Sequence, residues 1–247
     1  MEALGIDIGG SGIKAAVVDI STGKFISERI RVPVDNLLKP SEAVVSIKNI
    51  IDKLDYKGLI GSGFPSPIMN GVALTAANID KSWIGKNIEE LFSDATGCKV
   101  YAINDADAAG IAEVTFGAGK NQKGVILVLT LGTGIGSALF LDGHLLPNTE
   151  LGHLEIQNKE AEKRASAAVR KKKKLSWKAW AERLDEYLEK IEQLIHPDLI
   201  VIGGGISKDF CKFSSMIKVE TKILPAMLLN QAGIVGAAYN AYWRNLI

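Results

Sequence analysis

The sequence predicts a mixed α/β fold built from two similar halves, and three observations lead to this prediction. A strand, a glycine-rich turn and a second strand occur near residue 9 and again near residue 132. Short apolar runs bounded by glycine or polar residues alternate with amphipathic segments of helical periodicity. Hydrophobic residues make up 47% of the 247 residues, which is enough to bury a core and excludes a disordered or fibrous chain.

The first half opens as an antiparallel meander joined by short, glycine-containing turns. A helix then begins at Pro40 and carries apolar residues at helical spacing as far as Leu54. The strands predicted in this half are Ala3–Ile8, Ile13–Ile20, Phe25–Val32, Leu59–Phe64 and Val100–Ile103.

The second half begins with a helix and then repeats the opening pattern. Its predicted strands are Gly124–Leu131, Ile135–Leu141 and Leu199–Ile202. Its predicted helices cover Ala106–Phe116, the amphipathic stretch from Trp177 to Ile195 before Pro197, and the segment from Gly233 to Leu246.

The charge of the chain is balanced overall but concentrated in one segment. Lys plus Arg is 29 and Asp plus Glu is 28, so no global field attracts a nucleic acid or a membrane, and neither is expected as a partner. Residues 159–178 hold nine basic and two acidic residues, a net charge of +7, which leaves −6 for the rest of the chain. Such a run is typical of a solvated surface, and it also suits contact with a polyanion.

The cysteines and the N-terminal segment bear on metal sites and compartment. Cys98 and Cys211 lack the close Cys spacing of a structural zinc site and are expected to be two buried thiols, with one disulfide between them as the alternative. Residues 1–10 lack the basic start and the cleavage site of a signal peptide, and no apolar run reaches the roughly 18 residues of a membrane helix. A cytoplasmic location is therefore expected.

The segment Asp7–Lys14 has the composition of an anion-binding hairpin. Small residues in its turn would expose backbone N–H groups to a phosphate without obstruction. Asp7, near the end of the strand, is a hard oxygen ligand for Mg²⁺, directly or through water. A strand follows the turn, so the segment is neither a P-loop nor a dinucleotide fingerprint, and a plain structural hairpin stays the alternative.

Two further glycine sites lie in the second half. Gly132-Thr133-Gly134 joins two strands, and the hydroxyl of Thr133 can donate to a phosphate oxygen. Gly203-Gly204-Gly205 follows a buried strand, a usual ligand position in open α/β sheets. With the first hairpin, these sites predict phosphate binding.

Two polar motifs suggest chemistry on a hydroxyl compound. Asp105, after Asn104 at a strand end, could accept a proton from an attacking hydroxyl, as phosphoryl transfer requires, but the same position suits a helix N-cap. Glu150 and His153 can contact neighbouring hydroxyls of a polyol such as a sugar. This pair would also make half of a metal site, although no third ligand of matching type is apparent in the sequence.

Together, these motifs resemble the ROK family (repressors, open reading frames and kinases), sugar kinases of the actin-like ATPase superfamily. The segments that carry the resemblance are Asp7–Lys14, Asn104–Glu113, Leu131–Gly136, Glu150–His153 and Ile202–Gly205. The resemblance implies an α/β, two-lobed actin-like ATPase (ribonuclease H-like) fold with a central cleft. It further implies a small lobe of residues 1–103 with 233–247, a large lobe of residues 104–232, and a homodimer.

The resemblance also implies residue roles, with Asp105 as the general base and Mg²⁺ near Asp7. The residues that would contact the sugar are Asn78, Asn104, Asp105, Glu150, His153 and Glu162. The residues that would face the donor phosphates are Asp7, Gly9, Gly10, Ser11, Gly12, Lys14, Thr133, Gly134, Gly204 and Gly205.

A polyphosphate-using branch of the family is the closer resemblance, carried by Glu150–Glu155, Ala165–Arg170, Leu175–Trp180 and Leu229–Ala238. It implies phosphoryl transfer from inorganic polyphosphate, with ATP as a further donor, to the 6-hydroxyl of glucose. The basic residues that would guide polyphosphate are Arg164, Arg170, Lys171, Lys172, Lys173 and Lys174.

One feature limits what the resemblance implies, and two alternatives stay open. Many family members carry a cysteine-rich zinc motif after the histidine, but residues 154–161 contain no cysteine, so zinc is not expected. The alternatives left open are an ATP-dependent hexose kinase acting on glucose or mannose, with incidental lysines, and a non-catalytic sugar sensor.

Overall fold

The computed structural model describes residues 1–10, 12–34 and 36–247. The described chain divides into two compact units, Met1–Ala112 with Gln231–Ile247, and Glu113–Asn230. The division expected from the sequence was 103/104 and 232/233, near the same two points of the chain. The first division falls inside a helix because Ala108 of that helix lies directly against Gly236 of the first unit.

The strands and helices follow in chain order. The strands are β1 (Glu2–Gly9), β2 (Gly12–Asp19), β3 (Lys24–Phe25), β4 (Ile30–Pro33), β5 (Ile60–Phe64), β6 (Ile68–Met69), β7 (Val72–Ala73), β8 (Val100–Asn104), β9 (Val125–Leu131), β10 (Ile135–Leu141), β11 (His144–Leu146), β12 (Glu155–Ile156), β13 (Lys159–Glu160), β14 (Leu199–Gly203) and β15 (Lys222–Pro225). The helices are α1 (Pro40–Leu54), α2 (Ile88–Thr96), α3 (Asp105–Phe116), α4 (Glu162–Ala165), α5 (Ala167–Lys172), α6 (Trp177–Ile195) and α7 (Ala232–Leu246).

The first unit is built on a sheet of order β3-β2-β1-β5-β8, with β4 also paired to β2. Strands β1, β5 and β8 are parallel, and the register sets Asp7 opposite Gly63 and Gly63 opposite Ile103. The segments around Asp7 and Asn104 therefore reach the same edge of the sheet, two strands or about 10 Å apart. The fold thus places both predicted site segments of the first unit at one edge of its sheet.

Helix α7 lies unusually close to this sheet. A Cβ atom added at Gly61 would lie 1.9 Å from the carbonyl oxygen of Ala237, and one at Gly5 would lie 2.0 Å from that of Ile234. Only glycine permits this approach of helix to strand. The contact holds the first turn of α7 beside the end of β1.

The second unit repeats this arrangement on a sheet of order β11-β10-β9-β14-β15. An antiparallel hairpin, β9–β10, is followed by a parallel strand, β14, just as β1–β2 is followed by β5. Helix α6 packs on this sheet with one apolar face, which includes the fully buried Trp180, Leu184 and Leu188. The duplication predicted from the two glycine hairpins is thus confirmed at the level of strand pairing.

Most of the predicted elements are confirmed, with specific differences. The predicted strand Phe25–Val32 is instead the two short strands β3 and β4, because the chain leaves β2 between them and returns to pair with it again. The two cysteines are free thiols, as expected, but the expectation that both are buried is wrong: Cys98 is half-buried and Cys211 is exposed. Among the residues described, no helix has both the length and the apolar character needed to span a bilayer.

Candidate active site

Asp7 and Lys14 form an ion pair at the first hairpin. Antiparallel pairing sets the two residues opposite each other, and Lys14 Nζ lies 2.8 Å from Asp7 Oδ2. Helix α7 approaches from the other side, since a Cβ atom at Gly233 would lie 3.0 Å from Asp7 Cγ. The strand-end carboxylate is thus fixed between a cation and the first turn of a helix.

The turn of the first hairpin lies against the loop that carries Asn78. A Cβ atom at Gly10 would lie 3.1 Å from the carbonyl oxygen of Asn78. Both residues are exposed, whereas Gly9 is half-buried. Gly12 has a φ of +148°, and a side chain there would meet the carbonyl oxygen of Val32 at 2.7 Å. Ser11, the remaining predicted phosphate contact, lies outside the described residues.

Asn104, and not Asp105, caps helix α3. The buried Asn104 Oδ1 accepts hydrogen bonds from the backbone N–H groups of Ala106, at 2.8 Å, and Asp107, at 3.1 Å. These are the N-terminal donors that a capping side chain satisfies. Asp105 is the first helical residue and is half-buried. The N-cap alternative for Asp105 is therefore excluded.

In the second unit, two glycine sites adjoin each other. The turn at Gly132–Gly134 is closed by a 3.0 Å hydrogen bond from the Gly132 N–H to the Gly134 carbonyl, and Thr133 is exposed. Gly204 has a φ of +79°, and a Cβ atom there would lie 2.4 Å from the carbonyl oxygen of Leu131. Gly205 follows it and is exposed. Because β14 pairs with β9, both predicted phosphate sites of this unit lie at one sheet edge.

The segment that carries Glu150 and His153 is held against the same hairpin. Ser137, buried on β10, donates to the Thr149 carbonyl at 2.7 Å and accepts from the Leu151 N–H at 3.0 Å. Gly152 lies directly on β10, since a Cβ atom there would be 2.1 Å from the carbonyl oxygen of Ile135. The polar motif is thus fixed by one buried hydroxyl and one glycine.

Glu150, His153 and Glu162 converge in this unit. Nε2 of His153 lies 3.7 Å from Glu150 Oε2, and Glu162 Oε2 accepts from the Ile135 N–H at 3.4 Å. Partial burial raises the pKa of Glu150; the imidazole of His153 opposes this shift and the carboxylate of Glu162 adds to it. The cluster offers several adjacent acceptors, which is the arrangement that binds a run of hydroxyl groups.

The fold also brings a further carboxylate to His153. Nδ1 of His153 lies 3.5 Å from Glu160 Oε1. One ligand atom each from His153, Glu160 and Glu162 lie within 4.8 Å of one another, a spacing that could hold a metal ion. This cluster does not include Glu150; it forms because the β12–β13 hairpin returns the chain to His153.

The basic segment leads directly away from the second hairpin. The Gly132 carbonyl accepts a hydrogen bond from the Ala168 N–H in the first turn of α5, whose last turn carries Arg170, Lys171 and Lys172. Four lysines, Lys171–Lys174, are exposed. Arg170 stacks on Trp177, with Cζ 3.4 Å from the ring centroid.

Two other charges of this segment are already paired. Arg164 forms a very short ion pair with Glu186 and also donates to Gln157. Lys163 contacts Glu160. We therefore expect Arg164 to contribute less to binding a polyanion than the exposed lysines.

Two residues that contact the segment carrying Glu150 and His153 were not identified from the sequence. Ser137 and Glu160 become significant only through packing, and neither belongs to a recognisable motif. The structural role of Glu113, outside the candidate site, was not identified either: it is almost fully buried and accepts hydrogen bonds from the backbone N–H groups of Ala118, Met227 and Leu228. A buried glutamate within an apolar helical pattern is the one signal that could have indicated it.

The second hairpin allows a direct test by substitution. In Gly134→Ala, the added Cβ would lie 2.2 Å from Glu162 Oε2, so the carboxylate must move. If Glu162 contacts the sugar, kcat/KM for glucose should fall by about tenfold or more. Steady-state kinetics with varied glucose measure this effect.

Gly132→Ala is the matched control, since no described heavy atom beyond its chain neighbours lies within 4 Å of a Cβ at that position. We expect its glucose KM to stay within about twofold of the unsubstituted protein, because the sugar contacts do not move. Equal losses in the two variants would remove Glu162 from the sugar site.

The duplicated sheet, with a glycine turn at the strand edge of each unit, is the actin-like ATPase fold of sugar kinases. Within that class, the chain belongs to the ROK family, which matches residues 3–165.

Close relatives carry more specific names. The chain is 45% identical over 235 residues to the polyphosphate glucokinase of Mycobacterium tuberculosis (strain CDC 1551 / Oshkosh), covering 95% of this chain and 89% of that protein. It is 43% identical to the polyphosphate glucokinase of Mycobacterium leprae (strain TN), covering 95% of this chain and 72% of that one.

Solved structures of sugar kinases superpose on this chain. The inorganic polyphosphate/ATP-glucomannokinase from Arthrobacter sp. strain KM superposes with a TM-score of 0.93 at 43% identity, covering 98% of this chain and 99% of that one. A ROK family glucokinase from Streptomyces griseus, solved with glucose and AMPPNP, superposes with a TM-score of 0.84 at 20% identity, covering 98% and 100%. The second likeness shows the fold alone.

Proposed function

We propose that this protein transfers a phosphoryl group from inorganic polyphosphate to the 6-hydroxyl of glucose, which yields glucose 6-phosphate. The observation that carries the proposal is the placement of Glu150, His153 and Glu162 beside the Gly132–Gly134 hairpin, from which the basic helix α5 extends. The identity to polyphosphate glucokinases over 95% of the chain supports the same reaction.

Asp105 is the proposed general base. Phosphoryl transfer needs a group that orients the attacking hydroxyl and takes its proton, while most of the remaining catalysis is positioning and charge neutralisation. Asp105 is half-buried at the edge of the first sheet, and Asn104 meets the capping requirement of the helix. Asp105 is therefore not the capping residue of α3, and its carboxylate is the proposed acceptor of the 6-hydroxyl proton.

The sugar hydroxyls are the proposed ligands of Asn78, Asn104, Glu150, His153 and Glu162. The carboxyl oxygens of Glu150 and Glu162 can accept hydrogen bonds from hydroxyl groups, and the amide of Asn104 can donate to one. Holding glucose in one orientation presents its 6-hydroxyl to the phosphate and excludes water as a competing acceptor.

The donor phosphates are the proposed ligands of the two hairpins, through backbone N–H groups, Thr133 and Lys14. Asp7 fits a magnesium ion, because Mg²⁺ in phosphoryl-transfer enzymes is bound by one or two carboxylates together with substrate phosphates, and Asp7 is a hard oxygen ligand fixed beside the turn. When bound, Mg²⁺ supplies positive charge to the phosphates. Lys14 and the backbone N–H groups add to that charge.

Polyphosphate is the proposed preferred donor because the basic segment begins at the donor hairpin. A long polyanion has no base to stack, so its site needs an extended row of cations. Arg170 and Lys171–Lys174 provide such a row from the point where the Gly132 carbonyl meets α5. Arg164 is a weaker candidate, since Glu186 already pairs with it.

ATP as a further donor and mannose as a further sugar form the second candidate activity. The observation that favours them is the likeness to the structure named a polyphosphate/ATP-glucomannokinase, at 43% identity. The expected assembly is a homodimer and the expected compartment the cytoplasm. A zinc ion is not part of the proposal.

Product analysis tests the proposed reaction. The protein would be incubated with glucose, Mg²⁺ and long-chain polyphosphate as the sole donor, and the products followed by phosphorus NMR and by glucose 6-phosphate dehydrogenase. We expect glucose 6-phosphate in proportion to the polyphosphate consumed. Phosphate release without a sugar phosphate, or no turnover with any donor, would contradict the proposal, and the second result would favour a sugar sensor.

A further inference from the structure

We propose that Glu160 is a positioning residue for the sugar site, which holds Nδ1 of His153 so that Nε2 is presented to a sugar hydroxyl as an acceptor beside Glu150. This inference deepens the proposed function and depends on it, because the orientation of His153 matters for activity only if a sugar binds there. Three observations support it: the turn that brings Glu160 back, the two distances from the imidazole, and the cation that fixes Glu160.

A tight two-residue turn returns Glu160 to His153. Gln157 and Asn158, between β12 and β13, have φ values of 50° and 59°. Two successive residues in this region are typical of a type I′ hairpin turn, whose twist matches that of the flanking strands. The pairing of Glu155 with Glu160 and the 2.8 Å hydrogen bond from the Ala161 N–H to the Leu154 carbonyl complete the hairpin.

The imidazole of His153 faces a carboxylate at each nitrogen. Nδ1 lies 3.5 Å from Glu160 Oε1, and Nε2 lies 3.7 Å from Glu150 Oε2. In a neutral imidazole, one nitrogen carries the proton and the other accepts, and the partner of the first decides which tautomer is present. A carboxylate at Nδ1 stabilises a proton there, which leaves Nε2 as an acceptor.

That tautomer suits a sugar at Glu150. Nε2 and the Glu150 carboxylate are then two neighbouring acceptors, and two adjacent hydroxyls can each donate to one of them. With the opposite tautomer, Nε2–H would instead donate to Glu150 and compete with the sugar. Glu160 therefore affects binding through the proton of His153, without a contact to the sugar being required.

Lys163 fixes Glu160 in this role. Its Nζ lies 2.5 Å from Glu160 Oε2, the oxygen that does not face His153. The hydrogen bond from Lys163 is the main cause of a lowered pKa at Glu160, with the nearby His153 adding to the shift. The ammonium group of Lys163 thus holds the Glu160 carboxylate beside Nδ1 of His153, and Lys163 belongs to this chain of contacts more than to the polyphosphate segment.

The test compares Glu160→Gln with the matched control Glu155→Gln, an exposed carboxylate directly across the same hairpin. We expect Glu160→Gln to raise the KM for glucose about tenfold, with kcat changed less than about threefold, an effect of the size found when the partner that orients a metal-bound histidine is removed. Glu155→Gln should leave both constants unchanged. Lys163→Met should raise the glucose KM in the same direction by a smaller factor, which keeps the test valid if Glu160→Gln folds poorly.

A spectroscopic readout separates positioning from a merely structural effect. The chain has three histidines, so the ¹⁵N imidazole signals of His153 can be assigned by comparison with a His153→Asn variant. The unsubstituted protein should show the Nδ1–H tautomer, and Glu160→Gln should shift His153 toward Nε2–H. This measurement needs no turnover, so it tests Glu160 even if the proposed reaction fails.

Three results would overturn the inference. An unchanged glucose KM in Glu160→Gln would exclude the effect on sugar binding, and an unchanged tautomer would exclude its cause. Metal analysis provides the third: one tightly bound metal ion per chain, lost in Glu160→Gln, would make Glu160 a ligand of that ion together with His153 and Glu162.

Discussion

Replacing Asp105 with alanine should lower kcat by about 100-fold or more, because the attacking hydroxyl loses the group that accepts its proton. The fold should persist, since the hydrogen bonds that cap α3 come from Asn104. Turnover at saturating glucose and polyphosphate measures the effect, and circular dichroism with a thermal melt checks the fold.

Two further variants make this result specific. Asp94→Ala removes an exposed carboxylate from α2 in the same unit and should leave kcat unchanged. Asn104→Ala removes the cap and should lower the free energy of unfolding by about 1 kcal/mol, a loss that Asp105→Ala should not share. Near-normal turnover in Asp105→Ala would exclude Asp105 as the general base.

Neutralising Lys171–Lys174 together by Lys→Gln should raise the apparent KM for long-chain polyphosphate about tenfold or more and weaken its dependence on salt, because bound cations displace the counterions of a polyanion. The KM for glucose should stay nearly unchanged, since the sugar contacts lie on other residues. Rates with ATP and with tripolyphosphate should also change little, because these short donors do not extend along α5. Steady-state kinetics at two salt concentrations measure all of these effects.

The control for this variant changes the same net charge elsewhere. Lys48, Lys57, Lys120 and Lys123 are exposed lysines outside the basic segment, and their fourfold Lys→Gln variant should behave like the unsubstituted protein. Equal increases in the KM for polyphosphate and for glucose would show that the lysine run acts through the fold or the overall charge. The segment would then be a solvated surface run.

The duplicated architecture could be predicted because the sequence patterns that indicate it are local. Glycine turns, apolar strands and the amphipathic face of α6 can be read from spacing alone, and strand pairing confirms them. The division of Phe25–Val32 into β3 and β4 could not be predicted, because leaving and rejoining β2 depends on packing across the sheet. Helix α2 was likewise missed between two loops of mixed composition.

The candidate site was predicted only in part, for a related reason. Asp7, Asn104, Asp105, Glu150 and His153 stand in recognisable motifs, so their residue types and spacing indicated them. The partners that fix these residues come from elsewhere: Ser137 holds the Glu150 segment, and Glu160 reaches His153 through a turn. The pairing of Arg164 with Glu186, 22 residues later, also could not be inferred from charge counts.

The measurement that tests the central claim most directly is a comparison of initial rates of glucose 6-phosphate formation with Mg²⁺, using long-chain polyphosphate or ATP as the donor. The account predicts a higher kcat/KM for polyphosphate, because the basic row beside the donor hairpin binds the longer polyanion. Activity with ATP alone would contradict it. The chain would then be an ATP-dependent hexose kinase of the same family, with Lys171–Lys174 outside the donor site.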